Sequence, residues 1–74
     1  MERVNVKVIP AAATALTAEQ IASDMSAADV TNRALQVYHY LMEEIRAGSA
    51  LMLRDSDGQY STVMIEEYEQ NEVD

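Results

Sequence analysis

Seventy-four residues with no cysteine exclude disulfides and thiolate-bound metal. A chain this short buries only a limited core, which leaves oligomerisation as the remaining source of stability. The formal net charge of −8 opposes a general attraction to phosphate, so the placement of the charges is more informative than their sum.

Five of the thirteen acids follow Ile65, in EEYEQNEVD, whereas residues 1–10 carry Arg3 and Lys7 against Glu2 alone. The cationic end is the N-terminal one. No apolar run approaches the roughly 20 residues that span a bilayer, and the opening MERVNVKV lacks the apolar centre of a signal peptide. A cytoplasmic protein with no membrane partner is expected.

Residues 3–9, RVNVKVI, alternate strictly, with Val4, Val6 and Val8 on one face and Arg3, Asn5 and Lys7 on the other. A period of two rich in β-branched residues predicts a half-buried strand. A lone strand is not stable, but in a homodimer it can pair with its symmetry mate as a two-stranded antiparallel ribbon. The valine face would then pack on helices, and the other face would present Arg, Asn and Lys twice over. Such a ribbon fits the major groove of B-DNA, where Arg suits guanine O6 and N7, Asn suits adenine N6 and N7, and Lys suits guanine or phosphate. On alternation alone a plainer reading stays open and is the commoner case. In it the three polar residues are the solvated face of an edge strand, where Lys discourages further pairing.

Pro10 ends the strand, because it cannot donate to a ladder and suits a turn or the first helical position. The following AAATALTAEQIASDM is helix-prone, with Leu16, Ala18, Ile21, Ala22 and Met25 as the expected apolar face. Its start is either directly after Pro10 or at Thr17, which with Gln20 has the spacing of a capping box. Ser23, Asp24 and Ser26 break it before a second, longer helix predicted over residues 26–47. That helix carries Val30, Ala34, Val37, Leu41 and Ile45 in steps of four and three, one stripe down one face. Ser26 and Asp29 mark its start as a capping box, and Gly48 supplies a left-handed residue at its end. A seam of this length needs a partner, and the rest of the chain is too small to be one. The five stripe residues, with Val4, Val6 and Val8, are therefore expected to form the core of a homodimer.

After Gly48, residues 50–54 (ALMLR) and 60–65 (YSTVMI) flank Asp55-Ser56-Asp57-Gly58, whose Asp-Gly pair signals a turn. A β-hairpin is predicted over residues 49–65, packed on the end of the long helix or on its dimer mate. Residues 66–74 form an acidic tail, expected to be frayed. By default it serves solubility, and it can also lie near the ribbon or repel non-specific DNA.

Strand, helix, turn and helix behind an Arg-x-Asn-x-Lys face resemble the ribbon-helix-helix superfamily, the MetJ/Arc type of DNA-binding protein. The stretch SAADVTNRALQVY, residues 26–38, is similar to the second helix of small ribbon-helix-helix proteins of actinobacteria and their phages. Residues 48–65 are similar to a C-terminal hairpin that some of those carry. The resemblance implies a mainly α fold with short β elements: an intertwined β-α-α homodimer whose residues 1–48 dimerise and bind DNA. It implies that Arg3, Asn5 and Lys7 read base edges and that Ser26, Ala27 and Ala28 contact phosphate through backbone N–H groups. An open helix N-terminus suits an anion on physical grounds as well. The family usually places Gly just before the second helix, whereas this chain has Ser23-Asp24-Met25, and an Asp near a phosphate is unfavourable.

His39, in Tyr38-His39-Tyr40, has only Glu43 as a ligand one turn away and reads as a surface or interface histidine. Tyr38, Leu41, Met42 and Ile45 have the spacing of core and seam rather than of a cofactor box. Asp55-Ser56-Asp57-Gly58 lacks the later oxygen ligands of a calcium loop. With no triad and no Gly-rich loop, neither catalytic residues nor a cofactor is expected. The sequence thus predicts a homodimeric transcriptional repressor of double-stranded DNA, with cooperative higher assembly on adjacent sites. The alternative is an antitoxin or phage adaptor that uses the same fold to grip a protein through the hairpin or the acidic tail.

Overall fold

The computed structural model describes residues 2–65, mainly α with short β. Two helices, α1 (Pro10–Ser23) and α2 (Ala27–Arg46), precede two strands, β1 (Met52–Arg54) and β2 (Tyr60–Thr62), which form an antiparallel sheet. The acidic tail lies outside the described residues. The chain divides into two units within α2, at residues 31 and 32, and each is described on its own.

In the first unit the strand predicted over residues 3–9 is not formed. The correction has a simple cause: a strand is defined by hydrogen bonds to a neighbour, and no described residue of the chain supplies one to residues 2–8. Val4 is 77% exposed, Val6 72% and Val8 52%. Ile9 is extended, at φ −72 and ψ 158, and its carbonyl accepts the Ala13 N–H at 3.0 Å.

Of the two starts open for the first helix, the chain takes the earlier. Pro10 occupies the first turn, where its fixed φ is helical and its missing N–H costs nothing. Thr17 is interior, its hydroxyl donating back to the Ala13 carbonyl at 3.2 Å. The expected apolar face of this helix needs correction. Leu16 is half-buried with Ile9 and Gln20, whereas Ile21 is 79% exposed. Five residues on from Leu16, at 3.6 residues per turn, Ile21 points about 140° away. α1 ends at Asp24, which takes a left-handed conformation (φ 53, ψ 45) while its N–H donates to the Gln20 carbonyl.

In the second unit α2 closes as expected at Gly48, φ +103. The Ser49 N–H reaches the Glu44 carbonyl and the Gly48 N–H the Ile45 carbonyl, both at 3.0 Å, the paired bonds of a Schellman ending. The hairpin ladder pairs Met52 with Thr62, Leu53 with Ser61 and Arg54 with Tyr60, shorter than the predicted strands 50–54 and 60–65. One more bond extends it at the open end, from the Val63 N–H to the Leu51 carbonyl at 2.8 Å. At the turn Asp55 donates to Gln59 at 2.8 Å, and Gly58, at φ +84, donates to Asp55 at 3.1 Å. This is the three-residue loop with a left-handed glycine. Asp55 Oδ1 accepts the N–H groups of Asp57 and Gln59, each at 2.9 Å, so this carboxylate builds the turn.

No described residue of the single chain is buried. The half-buried side chains of the second unit are Leu41, Met42 and Ile45 on α2 and Leu51, Val63 and Ile65 around the hairpin. Gly48→Ala forces a Cβ into the left-handed region and should cost about 1–2 kcal/mol. Urea unfolding of the variant and the parent at one protein concentration measures it.

Candidate nucleic-acid interface

Two groups of residues make up the candidate interface. The first is the polar face of residues 3–7. Arg3, Asn5 and Lys7 are exposed and make no ion pair or side-chain hydrogen bond with a described residue. Their donors are therefore available to an external acceptor, and Glu2 is the one acid beside them in sequence.

The second group is the N-terminus of α2. Ser26 caps it: the hydroxyl accepts the Asp29 N–H at 3.1 Å and the carbonyl accepts the Val30 N–H at 3.0 Å. This is the cap expected at Ser26. The Ser26 side chain is committed to the helix, and only the backbone N–H groups of Ser26, Ala27 and Ala28 face outward without an intrahelical partner. Ala27 and Ala28 are exposed, and their methyl groups leave those N–H groups open. The other half of the predicted capping box is not made, because the Asp29 carboxylate accepts no bond from a described residue. Asp29 still lies at the positive end of the helix dipole, where a carboxylate is favoured and competes with any other anion.

Asp24, expected as part of the break between the helices and as an acid near a phosphate, has a backbone role that the sequence did not show. It ends α1 by adopting a backbone conformation that costs most residues about 1–2 kcal/mol and glycine nothing. Asp tolerates it better than a branched residue would, which was the available signal. With Asp29 it is one of two acids that flank Ser26, Ala27 and Ala28 in sequence.

The stripe expected as dimer core lies along one side of α2. Val30, Leu41 and Ile45 are half-buried, Ala34 is exposed and Val37 is 56% exposed; Leu35 and Tyr38 beside them are 62% and 49% exposed. His39 Nε2 lies 2.6 Å from Glu43 Oε1, with both side chains in solvent, an ion pair of little energetic weight. Tyr40, Leu41, Glu44, Ile45, Ser49, Ala50 and Leu51 line an open hollow of about 210 Å³, too shallow to enclose a ligand. Among the described residues no three His, Cys, Asp or Glu side chains are grouped to hold a metal, and no helix is long and apolar enough to cross a membrane.

No protein-family model, curated protein or solved structure matches the chain. Two substitutions test the geometry of the α1–α2 corner. Ser26→Ala should lower stability by about 1 kcal/mol through loss of the cap. Asp24→Gly should raise it by about 0.5–1 kcal/mol by relieving the left-handed backbone. Equal unfolding midpoints for Asp24→Gly and the parent would show that the corner is not strained.

Proposed function

We propose that the chain is a ribbon-helix-helix transcriptional repressor that binds double-stranded DNA as a homodimer in the cytoplasm. One observation carries the reading: residues 3–8 alternate valine with Arg, Asn and Lys, hydrogen-bond to no other described residue, and run through Pro10 into α1. The left-handed backbone of Asp24 supports it further, because that is where the superfamily usually has glycine.

In this mechanism two copies pair residues 3–8 antiparallel. The valines are buried against helices, and two sets of Arg3, Asn5 and Lys7 enter the major groove. The stripe from Val30 to Ile45 supplies the rest of the dimer core. The open N–H groups of Ser26, Ala27 and Ala28 set the dimer's position against phosphate without reading sequence. Electrostatics then favours discrimination over raw affinity. Asp24 and Asp29 weaken the phosphate contact, and the five acids of residues 66–74 lower attraction to any duplex. Tight binding requires several dimers on adjacent sites.

A second reading, a protein-binding antitoxin or adaptor on the same fold, is favoured by one feature. Met52, Leu53 and Tyr60 of the hairpin are 49%, 60% and 64% exposed, and base reading does not use them.

Binding selection from a random DNA pool should yield a palindromic or repeated site. On that site Arg3→Ala and Asn5→Ala should each cost roughly 1–3 kcal/mol and relax discrimination at one base position. Wild-type affinity of the triple alanine variant, with Lys7→Ala included, would defeat the proposal. Asp24→Asn should instead strengthen binding to matched and unmatched duplexes alike, since phosphate carries no sequence information; mobility-shift titrations on both duplexes measure this.

A further inference from the structure

We infer that Asp57, in the loop of the hairpin, is a site of backbone isomerisation to isoaspartate, and that Asp55 sets its rate. None of the residues involved belongs to the proposed DNA interface. The reaction is intramolecular and needs only water. The Gly58 backbone nitrogen attacks Cγ of the Asp57 carboxyl group in its protonated form, so that an N–Cγ bond forms and the Cγ–OH bond breaks. The hydroxyl leaves with the amide proton as water, and a succinimide ring remains. Water then adds to the Asp57 backbone carbonyl carbon, the bond from that carbon to the Gly58 nitrogen breaks, and the nitrogen recovers a proton. The chain now runs through Cβ and Cγ of Asp57, with no net change in mass.

The reaction requires a carboxyl group that nothing else holds and a nitrogen that no side chain shields. Asp57 is exposed, and its carboxylate accepts no hydrogen bond from a described residue. The next residue is glycine, where a Cβ would meet nothing within 4 Å, so the space that the ring needs is open. The other described aspartates lack this combination. Asp55 has its Oδ1 engaged by two N–H groups, each at 2.9 Å. Asp29 precedes β-branched Val30, whose N–H donates to the Ser26 carbonyl at 3.0 Å, and Asp24 precedes Met25, whose N–H donates to the Gln20 carbonyl at 3.3 Å.

The bonds of the loop hold the nucleophile back. The Gly58 N–H donates to the Asp55 carbonyl at 3.1 Å, and the nitrogen must leave this bond before it turns to Cγ. Asp55 Oδ1 closes the same loop through the N–H groups of Asp57 and Gln59. Opening the loop therefore breaks bonds centred on one residue, and a ladder of three pairs beside it adds little resistance. Asp55 is a positioning residue, since it touches neither the bond that forms nor the one that breaks. Isoaspartate lengthens the backbone of a three-residue loop that fits the Asp55–Gln59 pair, and so loosens the hairpin.

Ageing of the full chain at physiological pH and temperature tests this. Isoaspartate is read by enzymatic methyl transfer from S-adenosylmethionine to the displaced carboxylate, and is located by fragmentation mass spectrometry. The parent should accumulate it at residue 57 ahead of residues 24, 29 and 55. Asp55→Ala should raise the rate at residue 57 about tenfold, the effect of one hydrogen bond lost from the closed loop. Asp55→Asn keeps an oxygen acceptor and should stay near the parent. In the aged chain amide exchange should quicken at Asp55 and Val63, whose N–H groups donate across the hairpin, and not in α2. Isoaspartate that forms first at another residue, or at none, overturns the inference. Equal rates in the parent and Asp55→Ala overturn the role given to Asp55, as does a rise in Asp55→Asn as large as that in Asp55→Ala.

Discussion

Val4, Val6 and Val8, and the stripe Val30, Ala34, Val37, Leu41 and Ile45 along α2, are apolar surface that the described residues leave exposed or only half cover. None of these side chains is buried in the single chain. Ordering a residue costs about 1–2 kcal/mol of backbone entropy, and a fully buried valine returns about 1.5–3 kcal/mol. Residues 3–8 hold three valines among six residues, so packing of the valine face alone does not clearly exceed the cost of ordering the segment. A hydrogen-bonded neighbour on the strand edge has to contribute as well. The surface without cover and the edge without a ladder call for the same remedy, and in the proposed dimer a second copy, carrying both in matching form, provides it.

The α1–α2 corner then determines what such a pair presents to the outside. Because Asp24 turns left-handed and Ser26 spends its hydroxyl on the cap, α2 starts abruptly, with three N–H groups open to an anion. Two acids, Asp24 and Asp29, flank them in sequence. In the proposed repressor this balance weakens attraction to any phosphate and leaves discrimination to Arg3, Asn5 and Lys7. The charge of the chain acts in the same direction, with thirteen acids against five Lys and Arg.

The sequence showed most where structure is local. Ser26 and Gly48 bracketed α2 to within a residue at each end, since capping depends on a few adjacent residues. Asp55 to Gly58 marked the turn for the same reason, although the ladder beside it is shorter than the apolar runs suggested. Two things were read less well. Alanine carries little hydrophobic contrast, so the alanine-rich stretch around α1 offered an apolar face that Ile21 does not join. Ser23, Asp24 and Ser26 all announced a break, and nothing in their order said which of them takes the positive φ. The segment 3–9 is a different case. Its alternation is plain in the sequence, but the single chain forms no strand there, and the pairing proposed for it needs a second chain. The candidate site follows suit: its residues and the Ser26 cap were identifiable one by one, whereas the unmade Asp29 half of the capping box and the left-handed backbone of Asp24 needed coordinates.

The pairing of residues 3–8 with the same residues of a second copy is tested most directly by nuclear Overhauser contacts between isotope-labelled and unlabelled chains mixed in one sample. An antiparallel ribbon with all its valines on one face predicts cross-copy Hα–Hα contacts within residues 3–8 that join odd-numbered residues to odd and even to even, symmetric about a centre at Asn5 or at Val6. Labelled and unlabelled chains that contact each other only elsewhere, or not at all, would contradict it.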